Sequence, residues 1–144
     1  MDPKPLIIVA GGGRNLDWSS DLICRVMKDY IFDNNVRKYK VKLLIHGGCR
    51  GADKKIDKVA KTMKWPIHTF SADWDKYGKS AGPIRNKQML EFAINEMKNI
   101  DESAILVLAF PGNKGTKSLL DNAYTLRKNN PSVGMNIRIV DVVD

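Results

Sequence analysis

The sequence predicts an α/β fold: a Rossmann-like three-layer α/β/α domain around a central, mainly parallel sheet of five strands. Two observations carry that expectation. Short apolar runs alternate with segments whose apolar residues recur at helical spacing, the pattern of βαβ units. The turns expected after the first, second and fourth strands read GGGRN, GGCRG and PGNKGT. All three are Gly-rich and fall at strand carboxyl ends, where open α/β sheets bind their ligands.

The elements follow in order. Residues 6–10 (LIIVA) form a continuous apolar run, as a strand buried on both faces does. Gly11, Gly12 and Gly13 stop it. Asp17, Ser19 and Ser20 offer N-cap chemistry to a helix carrying Leu22, Ile23, Val26, Met27, Tyr30 and Ile31 at helical spacing. Residues 41–46 (VKLLIH) make a second strand, ended by Gly47 and Gly48. A helix from about Ala52 places Ile56, Val59, Ala60 and Met63 on one face. Residues 66–70 form a short third strand. The polar and aromatic stretch 71–86, SADWDKYGKSAGPIRN, is too long for a simple connection. A helix with Met89, Leu90, Phe92, Ala93 and Met97 follows. Residues 104–110 form the fourth strand, then comes the PGNKGT turn, a helix to about Lys128, and a fifth strand over 136–140.

Composition narrows the class. The chain has 144 residues, 43% hydrophobic and 28% charged, which suits one soluble globular domain over residues 1–144. No apolar run approaches the ~20 residues that span a bilayer, so no membrane partner is expected. The N-terminus lacks secretory signal features, which points to an intracellular, cytoplasmic protein. Cys24 and Cys49 form no CxxC pair, and with only His46 and His68 besides there is no zinc-ligand spacing. Cys24 falls within a helical apolar pattern and reads as core. No metal or cofactor is expected. Lys plus Arg is 24 and Asp plus Glu is 16, a net charge of +8. That excess favours phosphorylated or polyanionic partners, although a solvated basic surface reads the same way.

Each turn has a bland and a functional reading. Gly11, Gly12 and Gly13 allow a tight turn and let a ligand approach the backbone. Arg14 after them can clamp a phosphate. Gly47, Gly48 and Arg50 form a second such turn. Asp53 then sits in a first helical turn, either complementing the dipole or accepting from a ribose hydroxyl. His46 reads as a structural strand-end histidine. In the 71–86 stretch, Trp74 and Tyr77 are a self-packed loop or a platform for a base, and Asp73 and Asp75 can read base edges or ribose hydroxyls. Arg85 and Asn86 bring a cation and an amide close to a helix N-terminus. In Pro111, Gly112, Asn113, Lys114, Gly115 and Thr116, the glycines free the backbone and Thr116 is expected to cap the helix, offering a hydroxyl to a phosphate. No GxxxxGK[ST] occurs, which disfavours a P-loop triphosphatase.

PGNKGTKSL resembles the PGGxGTxxE signature of the SLOG superfamily, which includes LOG-type cytokinin-activating enzymes and DprA-like proteins. HGGCRGAD, FSADWDKYGKSAGPIRNKQML and AFPGNKGT together resemble the YspA-like, YpsA-related branch. The resemblance implies a nucleotide-binding Rossmann-like domain that senses or processes nucleotides and their derivatives. LOG-type enzymes hydrolyse the bond between base and ribose 5′-phosphate with an arginine and the signature glutamate. Arg85 matches that arginine, but Leu119 stands at the glutamate position and Asn113 replaces a signature glycine. A leucine cannot stabilise an oxocarbenium-like ribose or activate water. Asp121 points about 200° around the helix and is a poor substitute.

Three functions follow. The first is a module that binds or senses a nucleotide or nucleotide-derived small molecule. The second is an N-glycosidic phosphoribohydrolase, with Arg85 and Asp73 as catalytic candidates and Asp53 or Asp75 as other sources of the acid. The third is DprA-like single-stranded DNA binding, weakened because the basic residues are dispersed. The resemblance also implies a homodimer or higher oligomer, with the helix after the third strand near the contact.

Overall fold

The computed structural model describes residues 3–33, 36–100 and 104–140. The elements in chain order are β1 (Lys4–Gly11), α1 (Ser20–Ile31), β2 (Phe32–Asp33), β3 (Val36–Arg37), β4 (Tyr39–His46), α2 (Ala52–Thr62) and β5 (Ile67–Thr69). Then come α3 (Trp74–Tyr77), a 3₁₀ turn (Gly78–Ser80), α4 (Ala81–Met97), β6 (Ala104–Ala109), α5 (Lys114–Asn129) and β7 (Met135–Ile139). Five strands form one sheet in the order β5-β4-β1-β6-β7, and every pairing in it is parallel. This is the expected Rossmann-like fold. The strand order reverses between β1 and β6, so the crevice for a ligand opens there.

The sheet is covered on both faces, and the alternation of side chains along β1 shows why. Leu6, Ile8 and Ala10 pack with α1 and α2 residues such as Ile23, Met27, Ile56 and Val59. Ile7 and Val9 point the other way, into a core with Met89, Leu90, Ala93, Leu119 and Ala123 of α4 and α5. A central parallel strand is therefore apolar at every position, as LIIVA reads. Ser19 caps α1, its Oγ accepting from the Leu22 N–H at 3.1 Å. Cys24 is half-buried and packs against the first of these cores.

The structure corrects three expectations. A two-residue hairpin, β2 with β3, precedes β4; segments so short leave no apolar period in the sequence. The stretch 71–86 is largely helical: α3, the 3₁₀ turn and the first turns of α4 fill it. Its Gly, Pro and charged residues hid this, because Pro83 sits in the first turn of α4, where its missing N–H leaves no hydrogen bond unmade. Thr116 is not a cap. It is the third residue of α5, and the N-cap is Asn113, with no side-chain cap bond. Among the described residues, no helix is long and apolar enough to cross a membrane.

Candidate functional site

A cleft of about 890 Å³ opens at the carboxyl ends of β1, β4 and β6. The turns around it are locked to one another before any ligand arrives. Gly13 donates its N–H to Pro111 O at 2.8 Å, and Ala52 donates to Gly13 O at 3.1 Å. A Cβ on Gly12 would stand 2.7 Å from Ala52 Cβ and 2.8 Å from Phe110 Cβ. One on Gly51, which has φ +75°, would collide with the Arg14 and Gly13 backbone. Gly13 and Gly51 are thus there so that backbones can touch and Gly12 so that Ala52 and Phe110 can close over the turn, packing roles beside any ligand role.

Gly115 differs. A Cβ there meets nothing within 4 Å, although the residue lies inside the first turn of α5 and lines the cleft. A helical glycine costs stability relative to alanine, and no packing inside the chain offsets that cost. The space it leaves belongs to the cleft. The α5 N-terminus beside it has no side-chain cap, so its first N–H groups are free to meet an anion. Thr116 Oγ1 is turned inward toward Phe110 O, at 3.5 Å.

Arg85 closes the floor. Its side chain crosses from α4 to the β4–α2 turn, where Nη1 donates to Gly47 O at 2.8 Å and lies 3.8 Å from Cys49 Sγ. Its Nε donates to Asn86 Oδ1 at 2.9 Å. Asn86 in turn donates to Gly115 O and to Ser118 Oγ, both at 3.3 Å, so one pair of residues ties the two turns together. Gly47 must lack a side chain because the Arg85 guanidinium occupies the place a Cβ would take. Arg85 is only 8% exposed, yet among the described residues it has no carboxylate partner. Among the described residues, Nη2 makes no hydrogen bond. A buried cation so arranged is costly unless an anion completes it.

Asp53 is the acid of this floor. It is 5% exposed, and Oδ2 accepts from the Cys49 N–H at 3.1 Å. Oδ1 is buried without a partner. Burial pushes the carboxyl above its usual range, and the Cys49 N–H and the nearby Arg85 charge only partly oppose this. His46 is structural: Nδ1 accepts from the Gly48 N–H at 3.0 Å, which leaves Nε2 to donate to Asp57 Oδ1 at 2.8 Å. Asp57 is held below the usual carboxylate range, first by its bond with Lys61 and then by His46.

The structure gathers most of the sequence candidates at this one place. Gly11, Gly12, Gly13, Arg14, Gly47, Arg50, Asp53, Trp74, Arg85, Asn86 and the whole run from Pro111 to Thr116 line the cleft. Gly48 does not; it takes φ +71° and packs toward Thr69. Asp73 and Asp75 are exposed and lie outside it, and Asp73 caps α3 by accepting from the Lys76 N–H at 3.1 Å. Tyr77 is exposed and also outside. Arg14 lies over the Trp74 ring, 5.2 Å from its centroid, so these two residues form one wall. Leu119 lines the floor but is core, only 2% exposed. Sequence reasoning missed Cys49, Lys79 and Ser118 as lining residues. Cys49 and Lys79 stood inside the quoted motifs, and their side chains carried no spacing signal of their own.

The model of the YspA, cpYpsA-related SLOG family (YAcAr) matches residues 5–77, half of the chain. The chain belongs to this family. The matched SLOG region holds the β1 and β4 turns and Trp74. Arg85 and the PGNKGT turn lie beyond it and line the same cleft. No curated protein matches the chain. Among solved structures it is similar to a ferredoxin-NADP+ reductase from Plasmodium falciparum, at 14% identity and a TM-score of 0.43. That match covers 94% of this chain and 54% of the reductase, so the chain spans about half of the reductase's length.

Proposed function

We propose that this SLOG domain binds a nucleotide or nucleotide derivative in the cleft, with a phosphate on the N-terminus of α5. The observation that carries the reading is Arg85: a buried guanidinium with no carboxylate partner, whose free edge belongs to the same cleft. Free N–H groups of α5 supply the dipole end, and the open space at Gly115 leaves room for the phosphate oxygens. Lys114, Arg50 and Lys79 around the cleft add positive field. The Arg14–Trp74 wall suits a flat base or the face of a ribose.

The reading favours binding over hydrolysis. Leu119 occupies the acid position as core, and Asp73 and Asp75 are outside the cleft. Asp53 is the one acid of the three in the cleft, and it is tied to the Cys49 N–H. The test is a thermal-shift screen against nucleotides and nucleotide-derived diphosphates and cyclic dinucleotides, each mixture then examined by mass spectrometry. A stabilising ligand recovered intact supports a binder or sensor. Free base released from it shows an enzyme instead. Replacing Arg85 by Ala is expected to weaken the stabilising ligand by about 2 kcal/mol, or roughly 30-fold. Unchanged affinity would remove Arg85 from the site.

A further inference from the structure

The floor of the cleft holds a polar atom that the fold does not use. Two acids line the cleft. Asp17 is exposed, while Asp53, in the first turn of α2, is 5% exposed. Asp53 does one job for the chain: Oδ2 reaches back from α2 and accepts from the Cys49 N–H at 3.1 Å, which fixes the β4–α2 turn. Oδ1 is buried and, among the described residues, has no hydrogen-bond partner. The Gly47 backbone lies near enough to favour the charge slightly without making that bond. Arg85 favours it too, but forms no ion pair with it. One acceptor is enough for the turn, and an asparagine would supply it without a charge. The second oxygen and the charge are therefore surplus to the fold, and they are costly, since burial raises the carboxyl in spite of these neighbours. A carboxylate in a first helical turn also complements the dipole, but an exposed acid does that with no burial cost.

We infer that Asp53 selects the sugar of the ligand: Oδ1 accepts a hydrogen bond from a ribose hydroxyl, so the site takes ribose phosphates in preference to deoxyribose phosphates. The inference rests on the nucleotide reading above and deepens it. Chemistry chooses the group. A carboxylate accepts hydrogen bonds and repels anions, so Oδ1 cannot be a further phosphate contact. The other charged side chains of the cleft are cations, Asp17 apart: Arg14, Arg50, Lys79, Arg85 and Lys114. A ligand made mostly of acceptors must therefore present a donor at this one oxygen. The flat base suits the Arg14–Trp74 wall, which leaves the sugar for the floor. A sugar hydroxyl can donate to Oδ1 while accepting from a neighbouring N–H.

The experiment titrates the full chain calorimetrically with AMP and with 2′,3′-dideoxy-AMP, which keeps the phosphate and the base and lacks both hydroxyls. Wild type is expected to bind AMP at least about ten-fold more tightly, because the dideoxy ligand leaves a buried carboxylate unpaired. In Asp53→Ala the two should bind within about two-fold of each other. Asp53→Asn keeps an oxygen for the Cys49 N–H, and so keeps the turn. Its ratio should fall between these, at least about three-fold below wild type, since a neutral partner makes the weaker bond. Thermal melts of the free variants check the fold first, and Asp53→Asn decides if Asp53→Ala does not fold. Equal binding of the two ligands by wild type, or a ratio that survives the substitutions, would overturn the inference and leave Oδ1 to a water. IMP lacks the adenine amino group. A loss of affinity with IMP that disappears in the variants would give the donor to that amino group, and the hydroxyl assignment would fall.

Adenosine, ribose 5-phosphate and inorganic pyrophosphate separate this inference from the phosphate placement. AMP bound more tightly than adenosine but no better than dideoxy-AMP would keep the phosphate and remove Asp53. Adenosine bound as tightly as AMP, with an Asp53-dependent preference over dideoxyadenosine, would keep Asp53 and count against the phosphate. If neither AMP nor ribose 5-phosphate binds at millimolar concentration, the inference fails, and binding of pyrophosphate would then still keep the anion site.

Discussion

Gly115→Ala separates the needs of the fold from those of the ligand. The residue is helical, in the first turn of α5, and a Cβ there meets no atom within 4 Å. For the protein alone, the change replaces the second-worst helix former with the best at no steric cost. The expected gain is about 0.5–1 kcal/mol, mostly from the less flexible unfolded chain. A domain of this size has an unfolding entropy near 0.3 kcal/mol per degree, so Tm should rise by about 2–3 °C. For the ligand the sign reverses. The methyl enters the space where phosphate oxygens would meet the α5 N–H groups. Losing one charge-assisted hydrogen bond costs roughly 1.5–3 kcal/mol, which is more than ten-fold in Kd. The assay is differential scanning calorimetry of the free protein beside calorimetric titration of the stabilising nucleotide. A higher Tm with unchanged affinity would refute the placement of phosphate on α5. A lower Tm would show that Gly115 is held by something other than plain helix geometry.

Two other substitutions test the site from different sides. Gly12→Ala should destabilise by about 1–3 kcal/mol, read in urea denaturation, because the new Cβ would stand within 2.8 Å of both Ala52 and Phe110; a neutral result would mean the turns are not locked as described. Asp53→Asn should raise Tm at pH 7, because Asn keeps an oxygen for the Cys49 N–H and removes a buried charge. The sign follows from the raised carboxyl: the folded state holds a proton that the unfolded state has lost, so Asp53 costs stability as pH rises from its ordinary value of 3.8 through its folded value. The gap between wild type and Asp53→Asn should therefore close toward pH 4, and a gap independent of pH would contradict the cause assigned to the shift.

Much of this architecture was legible because parallel sheets write themselves plainly. A strand buried on both faces must be apolar throughout, and residues 6–10, 41–46 and 104–110 are nearly so. Gly-rich turns then point to the crevice, since only strand carboxyl ends collect them. The reasons for individual glycines were not legible. Gly12 and Gly51 serve turn-to-turn contact, Gly47 makes room for Arg85, and Gly48 adopts a positive φ away from the cleft. Sequence spacing cannot tell these apart, because each depends on a neighbour far along the chain. The same holds for the acids. Asp53, Asp73 and Asp75 look equivalent as letters, yet the short helix α3 turns Asp73 into a cap and leaves Asp75 in solvent, while α2 buries Asp53. Thr116 misled for a simpler reason. A hydroxyl residue next to Gly reads as an N-cap, but α5 begins two residues earlier, at Lys114.

The central claim is that a phosphate group, held by α5 and Arg85, anchors the ligand. Calorimetric titration of AMP against adenosine, at matched ionic strength, tests it most directly. AMP is expected to bind at least ten-fold more tightly than adenosine, with the difference lost in Arg85→Ala. Equal affinities for the two, or a preference for AMP that survives Arg85→Ala intact, would contradict the account.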